Sequence, residues 1–149
     1  MTHIQNSDDA FIYIHKNPIL NNIRDTEILP SSIHGFGLFS KKSFLKHELL
    51  LVLDGQKVPW DLHALCTHIS DAGNEWNILE GNILLFRPYR TKYSFINHSR
   101  SPNLELYIES EKLQVRALDF ITVNTELTLD YRKEPLPDEY LKGHGATYL

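Results

Sequence analysis

Cysteine is nearly absent: Cys66 is the only one in 149 residues. A single thiol excludes an intramolecular disulfide and any zinc cluster built on thiolates. Long apolar runs are missing too. Leu49-Leu50-Leu51-Val52-Leu53 falls far short of the ~20 residues a membrane-spanning helix needs. The first residues, Met1-Thr2-His3-Ile4-Gln5-Asn6-Ser7-Asp8-Asp9, have no basic stretch leading into an apolar one. No secretory leader is therefore expected. Positive charge is not in excess either, with 19 acidic against 15 basic side chains. That balance argues against nucleic acid as the direct ligand and suits a basic peptide better. The expectation is an intracellular, cytoplasmic protein with no membrane partner.

What is present suits one globular domain. At this length, with 42% hydrophobic residues, a chain buries roughly 70% of its unfolded surface. Strands are expected at Phe11–Ile14, closed by Asn17-Pro18, and at Thr26–Leu29, stopped by Pro30. Leu38-Phe39 follows the kink at Gly35-Phe36-Gly37, and Glu48–Leu53 reads as a buried strand ending in an Asp54-Gly55 hairpin turn. Pro59 to Ile69 is the best helix, with Leu62, Leu65, Cys66 and Ile69 on one face. Strands return at Ile83–Phe86, Leu104–Ile108, Leu113–Leu118 and Leu127–Leu129, the middle two forming a hairpin with its tip at residues 109–112. Asp138–Lys142 suits one further helical turn.

Three segments stand out chemically. Asn97-His98-Ser99 directly follows an apolar run and precedes the turn pair Pro102-Asn103. Glu126-Leu127-Thr128-Leu129 alternates and then ends in Asp130-Tyr131. Polar groups closing a buried strand need hydrogen-bond partners there, from the protein or from a ligand. Gly35 and Gly37 allow positive φ or a close backbone approach. Taken alone, Gly-x-Gly is more often a tight turn, a lone His a structural residue, and a strand-end Tyr an amphipathic plug. No third glycine follows to complete a dinucleotide fingerprint. His63 and His68, five residues apart, lie on different helix faces, so a metal-dependent hydrolase is a poor reading. No metal ligand set is expected.

In order along the chain, Gly35-Phe36-Gly37-Leu38-Phe39, Asn97-His98-Ser99-Arg100-Ser101-Pro102-Asn103 and Glu126-Leu127-Thr128-Leu129-Asp130-Tyr131 strongly resemble the SET-domain protein lysine methyltransferases. The resemblance implies a mainly β fold with short helices, the β-clip-like SET fold of several small sheets with a C-terminal pseudoknot. It implies a SET domain over residues 25–132, an N-terminal extension over 1–24, and a tail over 133–149 that closes the lysine channel. Arg100 stands where many relatives have a zinc-binding cysteine, so this chain resembles the small, zinc-free branch.

The activity implied is transfer of a methyl group from S-adenosylmethionine to a lysine side chain of a protein. Gly35, Phe36, Gly37, Ser94, Asn97, His98 and Tyr131 are the implied cofactor-binding residues, with Tyr131 catalytic. Ile96, Leu129 and Tyr140 are the implied substrate-channel residues, and the Ser94 and Ile96 carbonyls would accept weak C–H···O contacts from the methyl. Relatives often carry Phe or Tyr where this chain has Leu129, which leaves the number of methyls open. The second channel aromatic is likewise open among Tyr89, Tyr93, Trp76 and His63. In the tail, Tyr140, His144 and Tyr148 compete with a frayed, solvated end. A lysine-bearing substrate, histone-like or otherwise basic, is the implied partner, and a homodimer is compatible with the sequence. A histone substrate would place the protein in the nucleus, or a host nucleus. The alternative is a catalytically silent SET-like module binding a lysine-rich peptide, but such a module would be expected to lose Asn97, His98 or Tyr131.

Overall fold

Residues 10–59, 75–80 and 83–133 are described by a computed structural model. Short strands dominate, arranged in several small sheets. β1 (Phe11–Ile14) and β2 (Asn17–Leu20) form an N-terminal hairpin, and β3 (Thr26–Pro30) pairs antiparallel with β4 (Phe36–Ser40). β5 (Leu49–Val52) lies at the edge of a sheet with β10 (Leu104–Glu109) and β11 (Lys112–Ala117). Another sheet places β8 (Ile83–Arg87) between β6 (Gln56–Pro59) and β7 (Glu75–Glu80). Finally β9 (Asn97–His98) runs parallel to β12 (Thr128–Leu129). Single turns of 3-10 helix cover Lys92–Phe95 and Tyr131–Lys133.

The core gathers residues from most of these pieces: Leu38, Leu51, Leu85, Ile96, Leu104, Val115, Ile121, Leu127 and Leu129. Leu127 has no exposed surface. Its amide donates to the Leu38 carbonyl at 2.7 Å, and Phe39 bridges Glu126 antiparallel. The chain then swings from β4 onto β9, where the Ser99 amide donates to the Leu129 carbonyl at 2.9 Å. One short C-terminal segment thus joins the first and second motifs. Truncating a fully buried leucine such as Leu127 to alanine typically costs about 2–5 kcal/mol.

Several expectations change on contact with the fold. Asn17-Pro18 does not close a strand but lies within β2, with Pro18 opposite Tyr13. The reversal falls at His15 and Lys16, both left-handed (φ 49 and 69), as a two-residue hairpin turn requires. Proline is tolerated there because a two-stranded ribbon asks few ladder donors of it. Asp54-Gly55 is not a hairpin turn either: β5 and β6 belong to different sheets. Gly55 is the corner between them, since a Cβ there would stand 2.6 Å from the Phe86 carbonyl oxygen. Pro59 ends β6 instead of opening a helix, and the remainder of that expected helix lies outside the described residues, as does 138–142. Glu75 and Trp76 open β7.

Candidate functional site

Asn97 forms the centre of the site. It sits on β9, beside the loop that leads into β4. Its Nδ2 donates among four oxygens: Glu126 Oε2 at 2.8 Å, the Phe36 carbonyl at 3.1 Å, and Ser31 Oγ and the His34 carbonyl at 3.2 Å. The amide's nitrogen side is thereby committed to the loop. Ser31 closes that loop from within, its hydroxyl accepting the Ile33 amide at 2.9 Å, while its own amide donates to the Gly35 carbonyl at 2.8 Å.

The two glycines do different work. Gly35 has φ 46, and a Cβ added there would meet nothing within 4 Å. Its main chain fronts open space. Gly37 is packed instead: a Cβ there would lie 2.8 Å from Glu126 Cδ, nearer still to Oε2, and 3.2 Å from Ser31 Cβ. The close approach at Gly37 is to a side chain of the protein itself.

The third motif is tied down by Asn103. Its Nδ2 donates to the Glu126 carbonyl and its Oδ1 accepts the Thr128 amide, both at 2.8 Å. The side chain therefore behaves as a short piece of strand. Asp130 then starts the terminal 3-10 turn, accepting the Arg132 amide at 3.0 Å and both arms of its guanidinium at 2.9 and 2.7 Å. This bidentate bond holds the Asp130 carboxyl at about 2, well below the ordinary carboxylate.

The turn delivers Tyr131 to the second motif. Its amide donates to His98 Nδ1 at 3.1 Å, and its hydroxyl donates to the Ile96 carbonyl. Accepting that amide leaves Nδ1 without a proton. Burial lowers the His98 pKa in the same sense, partly offset by Asp130. The imidazole is accordingly neutral near pH 7 and serves as a strut for the tyrosine.

Ser94 has its hydroxyl turned away, donating to Glu75. Ile96 and Leu129 are buried in the core beside the tyrosine. The Tyr93 hydroxyl accepts from Asn77 Nδ2 at 2.9 Å. Tyr140, His144, Tyr148 and His63 lie outside the described residues. Gly35, Phe36, Gly37, Asn97, His98 and Tyr131 converge through the contacts above.

Sequence reasoning gave no role to Ser31, Asn103 or Glu126, nor to a network beneath the site. Glu75 there accepts from Arg87 Nε at 2.9 Å, from Thr91 Oγ1 at 2.8 Å and from the Thr91 amide. Arg87 also donates to the Asp54 carbonyl and to Asn77, both at 2.8 Å. Asn103 could have been found from its place at the end of its motif. Glu75 and Arg87 carry no local signal. The N-terminal hairpin reaches the site as well, the His15 ring standing edge-on to Phe36 with centroids 5.7 Å apart.

Comparison with known proteins bears on residues 35–132, which match the family model described as the SET domain. Among solved structures, an apo ctPRC2 with mutations in Ezh2 superposes with a TM-score of 0.64 at 18% identity. It covers 82% of this chain and 16% of that chain. A humanized mutant of the Chaetomium thermophilum Polycomb Repressive Complex 2 bound to the inhibitor GSK126 gives a TM-score of 0.61 at 17% identity. There the match covers 78% of this chain and 16% of that one. A search of curated proteins returns no match.

Proposed function

The chain belongs to the SET-domain family, and on that premise we propose that it is a protein-lysine methyltransferase using S-adenosylmethionine. The observation that most supports this is the Tyr131 hydroxyl held on the Ile96 carbonyl, next to the Asn97 amide that grips the Gly35-Phe36 loop. The residues present fit such a cofactor. Gly35 offers bare main chain to open space. Asn97, having spent its nitrogen on the loop, keeps its Oδ1 for a donor. Phe36, Gly37, Ser94, Asn97 and His98 are the residues that would hold the cofactor, which supplies an electrophilic methyl carried on a sulfonium.

Charge moves from sulfur to nitrogen in such a transfer, so alignment matters more than stabilising new charge. Tyr131 is the aligning group. Its hydroxyl donates to the Ile96 carbonyl, which fixes the direction of its oxygen for an incoming amine. Leu129 and Ile96, both buried, keep water away. A lysine amine has an ordinary pKa of about 10.4, and desolvation in such a place favours the neutral, nucleophilic form. The substrate is a lysine-bearing segment of a basic protein, histone-like or otherwise. A histone substrate would put the protein to work in a nucleus.

Incubation of basic proteins with isotopically labelled cofactor, followed by mass spectrometry, should reveal methyl-lysine. Tyr131→Phe should lower the transfer rate by about 100-fold or more, with cofactor affinity nearly unchanged. Stability should hold to within about 1 kcal/mol. Transfer by Tyr131→Phe at the wild-type rate would sink this reading.

A further inference from the structure

Glu126 has an unusual set of partners. Its carboxylate accepts the Ser31 hydroxyl at 2.8 and 2.9 Å and the Asn97 amide at 2.8 Å. Its main chain pairs with Phe39 and accepts from Asn103. Among the described residues it takes part in no ion pair. All of these donors are neutral, and those to the carboxylate come from segments 95 and 29 residues away in the chain. The space the carboxylate occupies is the space a Gly37 side chain would need.

We propose that Glu126 is the positioning residue of the cofactor loop. Its carboxylate locks the Asn97 amide to the Ser31–Phe36 turn, and Gly37 is glycine in order to admit that carboxylate. Asn97 can present its Oδ1 outward only if its Nδ2 is held inward. Its shortest inward bond is the one to Glu126. Without that acceptor the amide can flip or rotate, and the loop loses its tie to β9. The Ser31 hydroxyl, which orders the loop, loses its acceptor at the same time. Glu126 thus acts through Asn97 and the loop without touching the reacting atoms. This role rests on the cofactor reading above, but the packing behind it can be tested without cofactor.

The test is a cycle of Gly37→Ala, Glu126→Ala and the double variant, with Glu126→Gln alongside. Melting temperature is measured first, then S-adenosylmethionine affinity by calorimetry, then the KM for cofactor and for a lysine peptide. Glu126→Ala should weaken cofactor binding by about tenfold, the scale of a lost buried hydrogen bond. The loss should fall on cofactor KM and not on peptide KM. Gly37→Ala should lower the melting temperature sharply in the wild type and much less in the Glu126→Ala background, where the carboxylate clash is gone and only the contact with Ser31 Cβ at 3.2 Å remains tight. Glu126→Gln should be intermediate, since one amide oxygen can still accept from Asn97. Additive losses in the cycle, or a folded Glu126→Ala protein that binds cofactor as wild type does, would overturn the proposal. If the wild type binds no cofactor, the proposed function fails, and the melting cycle still decides whether Gly37 and Glu126 are coupled.

Discussion

Glu75 and Glu126 hold the protein together in opposite ways. Glu75 is 6% exposed and meets a guanidinium that is itself enclosed, Arg87 at 2%. Glu126 is half-buried and, among the described residues, meets only hydroxyl and amide donors. The first charge is cancelled where it stands. The second keeps its field, and it does so behind the loop proposed to receive a positively charged cofactor. A fixed counterion at Glu126 would cancel that field before a cationic ligand arrived, because charges attract over several ångströms where water is excluded. The lesson is that burial alone does not reveal a carboxylate's role. Its donors do.

The strongest way to break the contrast is to remove Arg87. Arg87→Ala leaves the Glu75 charge enclosed without its partner, a change that typically costs about 3–5 kcal/mol. Urea denaturation should show most of the stability gone. A loss below about 1 kcal/mol would mean that the hydroxyl and amide donors of Thr91 and Ser94 suffice for Glu75, and the two carboxylates would then not differ in kind.

A smaller effect tests the cationic counterpart of Glu126. Lys92 is buried and, among the described residues, its ammonium donates only to neutral acceptors, the Ile23 carbonyl at 3.1 Å and the Thr26 carbonyl and hydroxyl at 2.8 and 3.1 Å. Burial lowers its pKa from 10.5 to about 8, against the pull of Glu27 and Asp25. The folded state therefore releases its proton before the unfolded chain does. Stability attributable to Lys92 should rise as pH goes from about 8 to 10.5 and stay level below 8. Comparing wild type with Lys92→Met across that range isolates the effect. A difference independent of pH would show that the three acceptors hold the ammonium against its burial.

The smallest effect sharpens the role of solvent. Asp130 and Arg132 repeat the carboxylate–guanidinium pair, but the Arg132 side chain is 41% exposed. Water and salt should reduce its worth to about 1 kcal/mol or less. Because the Asp130 pKa is lowered from 3.8 to about 2, the contribution is present above pH 3.8 and fades as pH falls toward 2. Arg132→Ala should thus cost little at neutral pH and nothing in strong acid. A cost like that of Arg87→Ala would show that enclosure is not what separates these pairs.

Much of the architecture was legible in the chain. The hairpin at residues 104–117 announces itself by alternation, and the polar closures of the second and third motifs lie on segments that pair in the fold. Elements that depend on distant partners were hidden. β7 opens with Glu75, whose reason for being in a strand is Arg87 across the register. The corner at Gly55 reads as a hairpin turn until the Phe86 carbonyl is seen against it. Pro18 looks like a stop until the left-handed His15-Lys16 pair supplies the reversal.

The sequence by itself determined the family, the order of the three motifs and the identity of Tyr131 as the residue to watch. These are local patterns of residue type and spacing, and spacing survives without coordinates. Only the tertiary structure decided what each polar group is for. Gly37 admits Glu126 while Gly35 fronts open space, and His98 braces Tyr131 through Nδ1 while Ser94 turns to Glu75. Hydrogen bonds require donor and acceptor within about 3 Å. When the partners lie tens of residues apart, only the fold brings them there.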